Sequence, residues 1–161
     1  MAIMRMVLMG VSGCGKTSVG LKLTDELDAK FVDGDALHSA ANKAKMNAGI
    51  PLTDEDRWPW LVTVGQTLAA EGRIIVACSA LKRAYRDKIR SSAPDTVFVY
   101  LHGTREVLAE RLGARKGHFF PAALLDSQLA ILEPLDTDEA GFVVNIDAPL
   151  DRIVSEIAAG F

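Results

Sequence analysis

The sequence has few of the features that mark secreted, disulfide-rich or membrane-spanning proteins. Two cysteines in 161 residues cannot build a disulfide scaffold, so both are expected to be reduced thiols. No apolar run approaches the roughly 20 residues that a membrane-spanning helix needs. The apolar N-terminal segment is split by Arg5 and is followed by no small-residue cleavage site, unlike a signal peptide. These absences predict a cytoplasmic protein.

An excess of basic residues is also missing. Eighteen Lys and Arg stand against 21 Asp and Glu, for a formal net charge of −3 and a pI near 5.6. This balance argues against nucleic acid or an anionic membrane as the main partner. The hydrophobic content of 49% is too high for a disordered chain, and the length suits one domain over residues 1–161.

Short apolar runs alternate with helical patterns along the chain. The runs predict strands near residues 6–9, 29–32, 73–78, 96–101 and 142–146. Between them, apolar residues recur at helical spacing, and one such helix is expected to open at Pro59 and close near Gly72. This alternation is typical of an α/β fold with a parallel sheet and helices on both faces. Ligands of such sheets bind beyond the carboxyl ends of the strands.

The first strand leads directly into a phosphate-binding motif. Residues 10–17, GVSGCGKT, fit G-x-x-x-x-G-K-[ST] at every fixed position. The glycines let successive backbone N–H groups form an anion site, and the following helix begins with its positive end at the phosphates. Lys16 is expected to reach the β- and γ-phosphates and Thr17 to ligate Mg²⁺. The nucleotide-binding set is Gly10, Ser12, Gly13, Cys14, Gly15, Lys16, Thr17 and Ser18.

Paired acids follow the second predicted strand as Asp33-Gly34-Asp35. One carboxylate of such a pair can hold the metal while the other accepts the proton of an attacking hydroxyl. The residues alone leave open which acid has which role. The expected position, at a strand end beside the phosphate loop, is where a γ-phosphate would lie.

Four basic side chains lie close together in the sequence, with glycines between them: Arg111, Arg115, Lys116 and His118. Cations around a transferring phosphoryl group accelerate its transfer, and the glycines allow hinge motion. We therefore expect a mobile lid that closes on ATP and supplies Arg111 and Arg115.

Other conspicuous side chains are interpreted as packing groups. Trp58 and Trp60 flank Pro59, and Tyr85 belongs to an apolar helical stripe. Cys14 occupies a free position of the phosphate motif, which favours a small structural residue over a redox sensor.

Taken together, these segments resemble the gluconokinases, P-loop kinases that phosphorylate D-gluconate at its 6-hydroxyl. The resemblance covers nearly the whole chain, and one departure is Ser39, where the family commonly has Pro and where we expect an altered local turn. The motifs that carry it are GVSGCGKT (10–17), FVDGDALH (31–38), NKAKM (42–46), PLTDEDRWPWL (51–61), CSALKRAYRD (78–87), RKGHFF (115–120), LEP (132–134) and VVNIDAP (143–149).

The resemblance implies a three-layer P-loop kinase fold. Its five-stranded parallel sheet has the order 2-3-1-4-5, with a substrate-side helical segment at about 38–60 and a lid at about 114–121. It also implies ATP and Mg²⁺ as cofactors and a homodimer.

The resemblance further assigns roles within the site. Asp35 looks like the residue that faces the acceptor hydroxyl, and Asp33 like a Mg²⁺ ligand beside Thr17. Lys16, Asp35 and Arg115 are the expected catalytic residues. Gluconate has one carboxylate and five hydroxyls, so its site needs a cation and several hydrogen-bonding groups. The expected substrate-binding residues are Asp35, His38, Arg57, Ser79, Lys82, Arg86 and His118.

Two alternatives stay open from the residues alone. The chain could phosphorylate another small acid or polyol, such as shikimate. It could also be a non-catalytic nucleotide-binding sensor, although the paired acids and the lid argue against this.

Overall fold

The computed structural model describes residues 2–113 and 122–161. Its centre is a parallel sheet of five strands in the order β2-β3-β1-β4-β5, which confirms the expected topology. The register places Leu8 beside Ala77 and Val99. All five strands therefore point their carboxyl ends to one edge. The strands are β1 (Met4–Met9), β2 (Lys30–Asp33), β3 (Arg73–Ala77), β4 (Val97–His102) and β5 (Gly141–Asn145).

Helices connect successive strands and cover both faces of the sheet. A single 3-10 turn, Gly34–Leu37, follows β2. The helices are α1 (Lys16–Leu27), α2 (Ala40–Asn47), α3 (Asp54–Ala69), α4 (Arg83–Ser92), α5 (Arg105–Gly113), α6 (Ala122–Ile131) and α7 (Leu150–Ala158).

Two apolar clusters form the core, one on each face of the sheet. Met6 and Leu8 of β1 belong to the cluster that packs against α1, α5 and α7, whereas Val7 and Met9 belong to the cluster against α3 and α4. Successive side chains of a strand point to opposite faces, so a central strand buried on both sides is apolar throughout. This explains why the strands appear in the sequence as continuous apolar runs.

The start of α3 differs from the sequence-based expectation. The helix begins at Asp54, and Pro59 lies in its interior rather than in its first turn. Thr53 and Asp56 form a reciprocal capping box, in which Asp56 N donates to Thr53 Oγ1 and Thr53 N donates to the Asp56 carboxylate. Capping stabilises the helix start ahead of the proline, which itself removes one backbone donor. The expectation of a helix opened by Pro59 is wrong.

The expected change of turn at Ser39 is also wrong. Ser39 has a φ of −61°, which is the value that a proline ring imposes. Its hydroxyl instead accepts from Asn42 N at 3.1 Å and caps α2. Serine therefore keeps the backbone conformation that proline would have and adds a helix cap.

Candidate active site

The phosphate loop joins β1 to α1 at the carboxyl edge of the sheet. Gly15 has a φ of +92°, a conformation that favours glycine, and its carbonyl accepts the first helical bond from Val19 N at 2.9 Å. Lys16 Nζ lies over the loop, donating to the carbonyl oxygens of Gly10 at 2.9 Å and Val11 at 3.3 Å. The loop thus joins a helix N-terminus and a lysine ammonium in one anion-binding concavity.

The paired acids lie beside this loop, at the end of β2. Asp33 caps the 3-10 turn, because its Oδ1 accepts from Asp35 N at 3.0 Å. Between them, Gly34 packs tightly against β3: a Cβ at this position would lie 2.5 Å from Ala77 O. Glycine is therefore required for the acids to approach the next strand.

Asp35 lines the cleft close to two other charged side chains, Asp33 and Lys16. Burial raises its pKa, and the neighbouring Asp33 charge raises it further, while Lys16 and His38 act in the opposite direction. A carboxylate with a raised pKa is more basic than one with an ordinary pKa, which suits it to take a proton from a hydroxyl.

His38 follows the 3-10 turn and is held on two sides. Its ring stacks on Trp60 with centroids 4.0 Å apart, and its Nδ1 lies 3.2 Å from Asn42 Nδ2. Trp60 Nε1 in turn donates to Gly34 O at 2.8 Å, which ties α3 to the turn that carries the acids. Burial lowers the pKa of His38, and Arg57 and Lys43 lower it further against the opposing charge of Asp35. These effects favour the neutral imidazole of His38 over the charged imidazolium.

Arg57 extends from the first turns of α3 within a cluster of polar side chains. Its Nη1 lies 3.2 Å from Asp54 Oδ1 and donates to Tyr85 OH at 3.3 Å, while Tyr85 OH donates to Asp54 Oδ1 at 2.5 Å. Lys82 Nζ is 3.9 Å from Asp54 Oδ2. Both cations also lie 5.6 Å from the centroid of the Tyr85 ring. The cluster fixes the direction in which the Arg57 guanidinium points.

The phosphate loop, the paired acids, His38 and Arg57 line one cleft of about 790 Å³. The volume falls within the range of small-molecule sites. Twelve of the site residues predicted from the sequence line the cleft, namely Ser12, Gly13, Gly15, Lys16, Thr17, Ser18, Asp33, Asp35, His38, Arg57, Ser79 and Arg111. Arg111 donates to Ile146 O, so α5 is attached to the residue that follows β5.

Two members of the phosphate motif, Gly10 and Cys14, are not among the residues that line the cleft. Gly10 packs against Cys14, where a Cβ would lie 2.8 Å from Cys14 Sγ. Cys14 is buried, and burial raises the pKa of its thiol. This agrees with a small packing residue rather than a redox-sensitive thiolate.

The structure contradicts the assignment of Arg86 to the substrate site. Arg86 is 0% exposed, and its guanidinium binds the equally buried Glu139 through Nε at 2.8 Å and Nη2 at 3.0 Å. Arg90 Nη2 donates to the same carboxylate at 2.7 Å. A buried arginine requires a partner, and here that partner is internal. Lys82 precedes α4 and also lies outside the set of residues that line the cleft.

Two of the site residues predicted from the sequence, and the expected lid, lie outside the described residues. Arg115 and His118 fall within 114–121, the same segment as the expected lid. Their assignments stay predictions.

Gln128 on α6 lines the cleft although the sequence analysis did not select it. Its Oε1 accepts from Ser12 N at 2.7 Å, and its Nε2 donates to Ser12 Oγ at 3.1 Å. No spacing rule connects residues 116 positions apart, so only the tertiary structure brings α6 to the loop. Met46, Leu52, Trp60 and Ala77 complete the lining; of these, only Trp60 stood out in the sequence.

The donor set at the phosphate loop fits a magnesium ion. Thr17 and Asp33 both line the cleft and offer hard oxygen ligands, and one Asp33 oxygen is left when Oδ1 caps the turn. Mg²⁺ is commonly held by one or two protein oxygens together with phosphate oxygens and water. Within residues 2–113 and 122–161, no group of three His, Cys, Asp or Glu side chains could hold a metal by itself. The residues thus suit a nucleotide-bound cation rather than a protein cage.

Among the helices that the structure describes, none combines the length and the apolar character that crossing a membrane requires.

Comparisons with known proteins agree with this arrangement. Residues 6–135 match a family model described as an AAA domain. A probable gluconokinase of Xenopus tropicalis is 44% identical, the alignment covering 96% of this chain and 91% of that protein. The thermoresistant gluconokinase of Escherichia coli K12 is 44% identical over 92% of this chain and 88% of its own length.

Solved structures give the same result. A gluconokinase from Sinorhizobium meliloti 1021 superposes with a TM-score of 0.90 at 50% identity, covering 98% of this chain and 90% of that one. A shikimate kinase from Bacteroides thetaiotaomicron shares the fold, with a TM-score of 0.73 at 19% identity. High identity over nearly the full length, on a phosphate loop with paired acids beside it, shows that this chain belongs to the gluconokinase family of P-loop kinases.

Proposed function

We propose that this protein transfers the γ-phosphoryl group of ATP to the 6-hydroxyl of D-gluconate, giving 6-phospho-D-gluconate. The observation that carries the proposal is one cleft in which the phosphate-loop lysine, a basic carboxylate and a substrate-side arginine meet, in a chain of the gluconokinase family. Phosphoryl transfer depends mainly on positioning and on stabilising charge, and these residues supply both.

Lys16 and Arg111 bind and neutralise the phosphates. Lys16 Nζ is directed over the concavity by the carbonyl oxygens of the loop, and Arg111 reaches the cleft from α5. Their charges oppose the negative charge that spreads over the transferring oxygens. We assign Arg115 the same role, on the resemblance alone.

Asp35 orients the acceptor hydroxyl and accepts its proton as the hydroxyl oxygen bonds to phosphorus and the bond to the leaving ADP oxygen breaks. The raised pKa of Asp35 and its position beside Lys16 support this role over that of a purely structural turn residue. Asp33 and Thr17 would hold Mg²⁺, which when bound neutralises charge on the β- and γ-phosphate oxygens.

Arg57 is the proposed anchor for the gluconate carboxylate. A guanidinium fork binds a carboxylate bidentately and fixes its orientation as well as its position. Asp54 and Tyr85 hold one edge of Arg57. Ser79 and His38 line the same cleft and would bind hydroxyl oxygens.

The cellular setting of this activity is part of the proposal. We propose a single kinase domain over residues 1–161 that acts in the cytoplasm as a homodimer, with a helical segment at 38–60 on the substrate side and a lid at 114–121. The dimer rests on family resemblance, and analytical ultracentrifugation of the full chain measures it directly.

A substrate panel tests the proposal. Purified protein is assayed for ADP release with ATP, Mg²⁺ and, in parallel, gluconate, shikimate, adenylate and related polyols. We expect gluconate to give the highest kcat/KM and phosphorus NMR to show a phosphate ester at carbon 6. A higher kcat/KM with another acceptor would identify a different kinase, and ATP binding without turnover on any acceptor would identify a sensor.

A further inference from the structure

Asn42 is a buried amide whose hydrogen bonds fix its orientation. Asn42 Nδ2 donates to Asp56 O at 2.9 Å and lies 3.2 Å from His38 Nδ1. A backbone carbonyl only accepts hydrogen bonds, so the atom facing Asp56 O must be the amide nitrogen and not its oxygen. Both hydrogens of that nitrogen are then directed, one to Asp56 O and the other to His38.

This orientation determines the tautomer of His38. Because Asn42 Nδ2 is a donor, Nδ1 of His38 must be the acceptor, and the proton of the neutral ring must be on Nε2. The ring is kept in place by Trp60, which stacks on one of its faces. Within the described part of the chain, Nε2 has no hydrogen-bond partner, and His38 lines the cleft.

The position of His38 makes this tautomer useful for binding substrate. Asp35, on the same turn, is an acceptor, whereas the Nε2–H of His38 is a donor. A substrate hydroxyl can donate to the first and accept from the second. A neutral donor also binds an oxygen without placing a second full positive charge beside Asp35, which would make that carboxylate less basic.

We infer that Asn42 is a positioning residue for the proposed kinase reaction: it holds His38 as the Nε2–H tautomer, so that His38 donates a hydrogen bond to a hydroxyl oxygen of the acceptor substrate. The inference rests on the proposed function for the identity of that substrate. The tautomer itself rests on the contacts of Asn42 alone.

The tautomer is measured by long-range ¹H–¹⁵N NMR of the histidine rings at pH 8.5, with His38 assigned by its loss in a His38→Gln variant. We expect the wild type to show protonated Nε2 and unprotonated Nδ1. In Asn42→Asp the carboxylate can only accept, so the proton should move to Nδ1. Asn47→Asp is the matched control, because it makes the same substitution at an exposed position of α2; its His38 signals should match the wild type.

Kinetics on the same samples test the consequence for binding. Loss of one donor should raise the KM for gluconate by roughly three- to tenfold in Asn42→Asp, while the KM for ATP stays unchanged. Asn47→Asp should leave both constants unchanged. A wild-type Nδ1–H tautomer would overturn the inference, and so would a tautomer change in Asn42→Asp without a rise in the KM for gluconate.

A second pair of variants keeps the test decisive if Asn42→Asp does not fold. Glutamine can place an amide N–H near the position of Nε2, whereas leucine cannot donate at all. We expect His38→Gln to retain a KM for gluconate near the wild-type value and His38→Leu to raise it; equal values in the two variants would contradict the donor role. Failure of the proposed function is recognised separately, as wild-type protein that does not turn over gluconate, and the NMR spectrum then decides the tautomer by itself.

Discussion

The Asp35 carboxyl is the single group on which the proposed chemistry depends most. Its backbone N–H donates to Asp33 Oδ1, a bond that supports the turn on which Asp35 lies. Asparagine has nearly the same shape but cannot accept the hydroxyl proton. Substitution at this residue therefore separates proton transfer from nucleotide binding.

We expect Asp35→Asn to lower kcat by roughly 10²–10⁴-fold, the usual contribution of a positioned base. The Kd for ATP, measured by calorimetry, should stay within a few-fold of the wild type, because the phosphate loop is untouched. Asp25→Asn, an exposed acid on α1, is the control and should keep full turnover. Unchanged kcat in Asp35→Asn would remove Asp35 from the mechanism.

Tyr85 shows how one side chain can serve both packing and the site. Its ring is buried in the core cluster under α3 and α4, as the helical spacing predicts. Its hydroxyl nevertheless bonds Asp54 and Arg57. Burial raises the pKa of Tyr85 to about 12, and the bond to Asp54 acts in the same direction. The hydroxyl is thus a stable donor that positions Asp54 and, through it, Arg57.

Tyr85→Phe should raise the KM for gluconate by roughly three- to tenfold, because Arg57 loses one of the groups that orient it. The values of kcat and of the KM for ATP should change little. Tyr100→Phe is the control: Tyr100 is equally buried and bonds His102 instead of the cleft residues. If both variants altered the KM for gluconate equally, the effect would reflect general packing and not orientation of Arg57.

At the scale of secondary-structure elements, a buried ion cluster attaches α4 to the segment before β5. Glu139 receives bonds from Arg86 and Arg90 and also accepts from Asp136 N at 2.8 Å. Burial by itself would raise the pKa of Glu139, but the bonds from these groups hold it at about 2. The carboxylate therefore stays charged in the folded protein down to strongly acidic pH.

Glu139→Gln should destabilise the protein by about 3–5 kcal/mol, because two arginines lose the charge that balances them in the interior. The free energy of unfolding is measured in urea at pH 7. Asp138→Asn is the matched control, since Asp138 pairs with Arg83 at the surface and its loss should change stability little. A stability of Glu139→Gln equal to that of Asp138→Asn would contradict this role of the ion cluster.

The same cluster predicts how stability depends on pH. Glu139 has a folded pKa of about 2 against an ordinary value of 4.5, so its charge stabilises the fold fully above pH 4.5. That contribution is lost as the pH falls from 4.5 towards 2. Unfolding curves of the wild type should therefore lose stability over this interval more steeply than those of Glu139→Gln. Parallel curves for the two proteins would assign the acid sensitivity to other groups.

For the whole molecule, net charge and local charge have opposite signs. The chain carries −3 overall, yet in the cleft the three cations Lys16, Arg57 and Arg111 outnumber the two carboxylates of Asp33 and Asp35. The acidic residues lie mostly elsewhere on the surface, in exposed pairs such as Lys22 with Asp151 and Arg105 with Asp126. An acidic protein can thus bind a polyanionic nucleotide and an acid substrate.

Nucleotide binding should stabilise the whole domain. With ATP near 100 times its Kd, binding adds about 2.7 kcal/mol to the free energy of unfolding. For a domain of this size the Tm should then rise by roughly 5–11 °C. Lys16→Ala should abolish most of the shift at the same ATP concentration, in a calorimetric or dye-based melt. An equal shift in that variant would place ATP outside the phosphate loop.

The sequence alone determined the features that depend on local spacing. Strand positions followed from continuous apolar runs, because a central parallel strand is buried on both faces, and the phosphate loop followed from glycine positions that a strand-loop-helix turn requires. The acids could be placed beside that loop because parallel strands share one carboxyl edge. The start of α3 was missed because a capping box outweighed the signal of Pro59.

Only the tertiary structure decided how the basic and polar residues are shared between the core and the cleft. Arg86 and Arg57 look equivalent in a sequence, since both are arginines in family motifs. Arg86 is buried because it pairs with Glu139, which lies 53 residues away in the sequence. Arg57, in contrast, lines the cleft. Gln128 likewise bonds Ser12, 116 residues away in the sequence, and the sequence does not predict this contact. Pairings of this kind depend on how distant elements pack, and no local pattern encodes them.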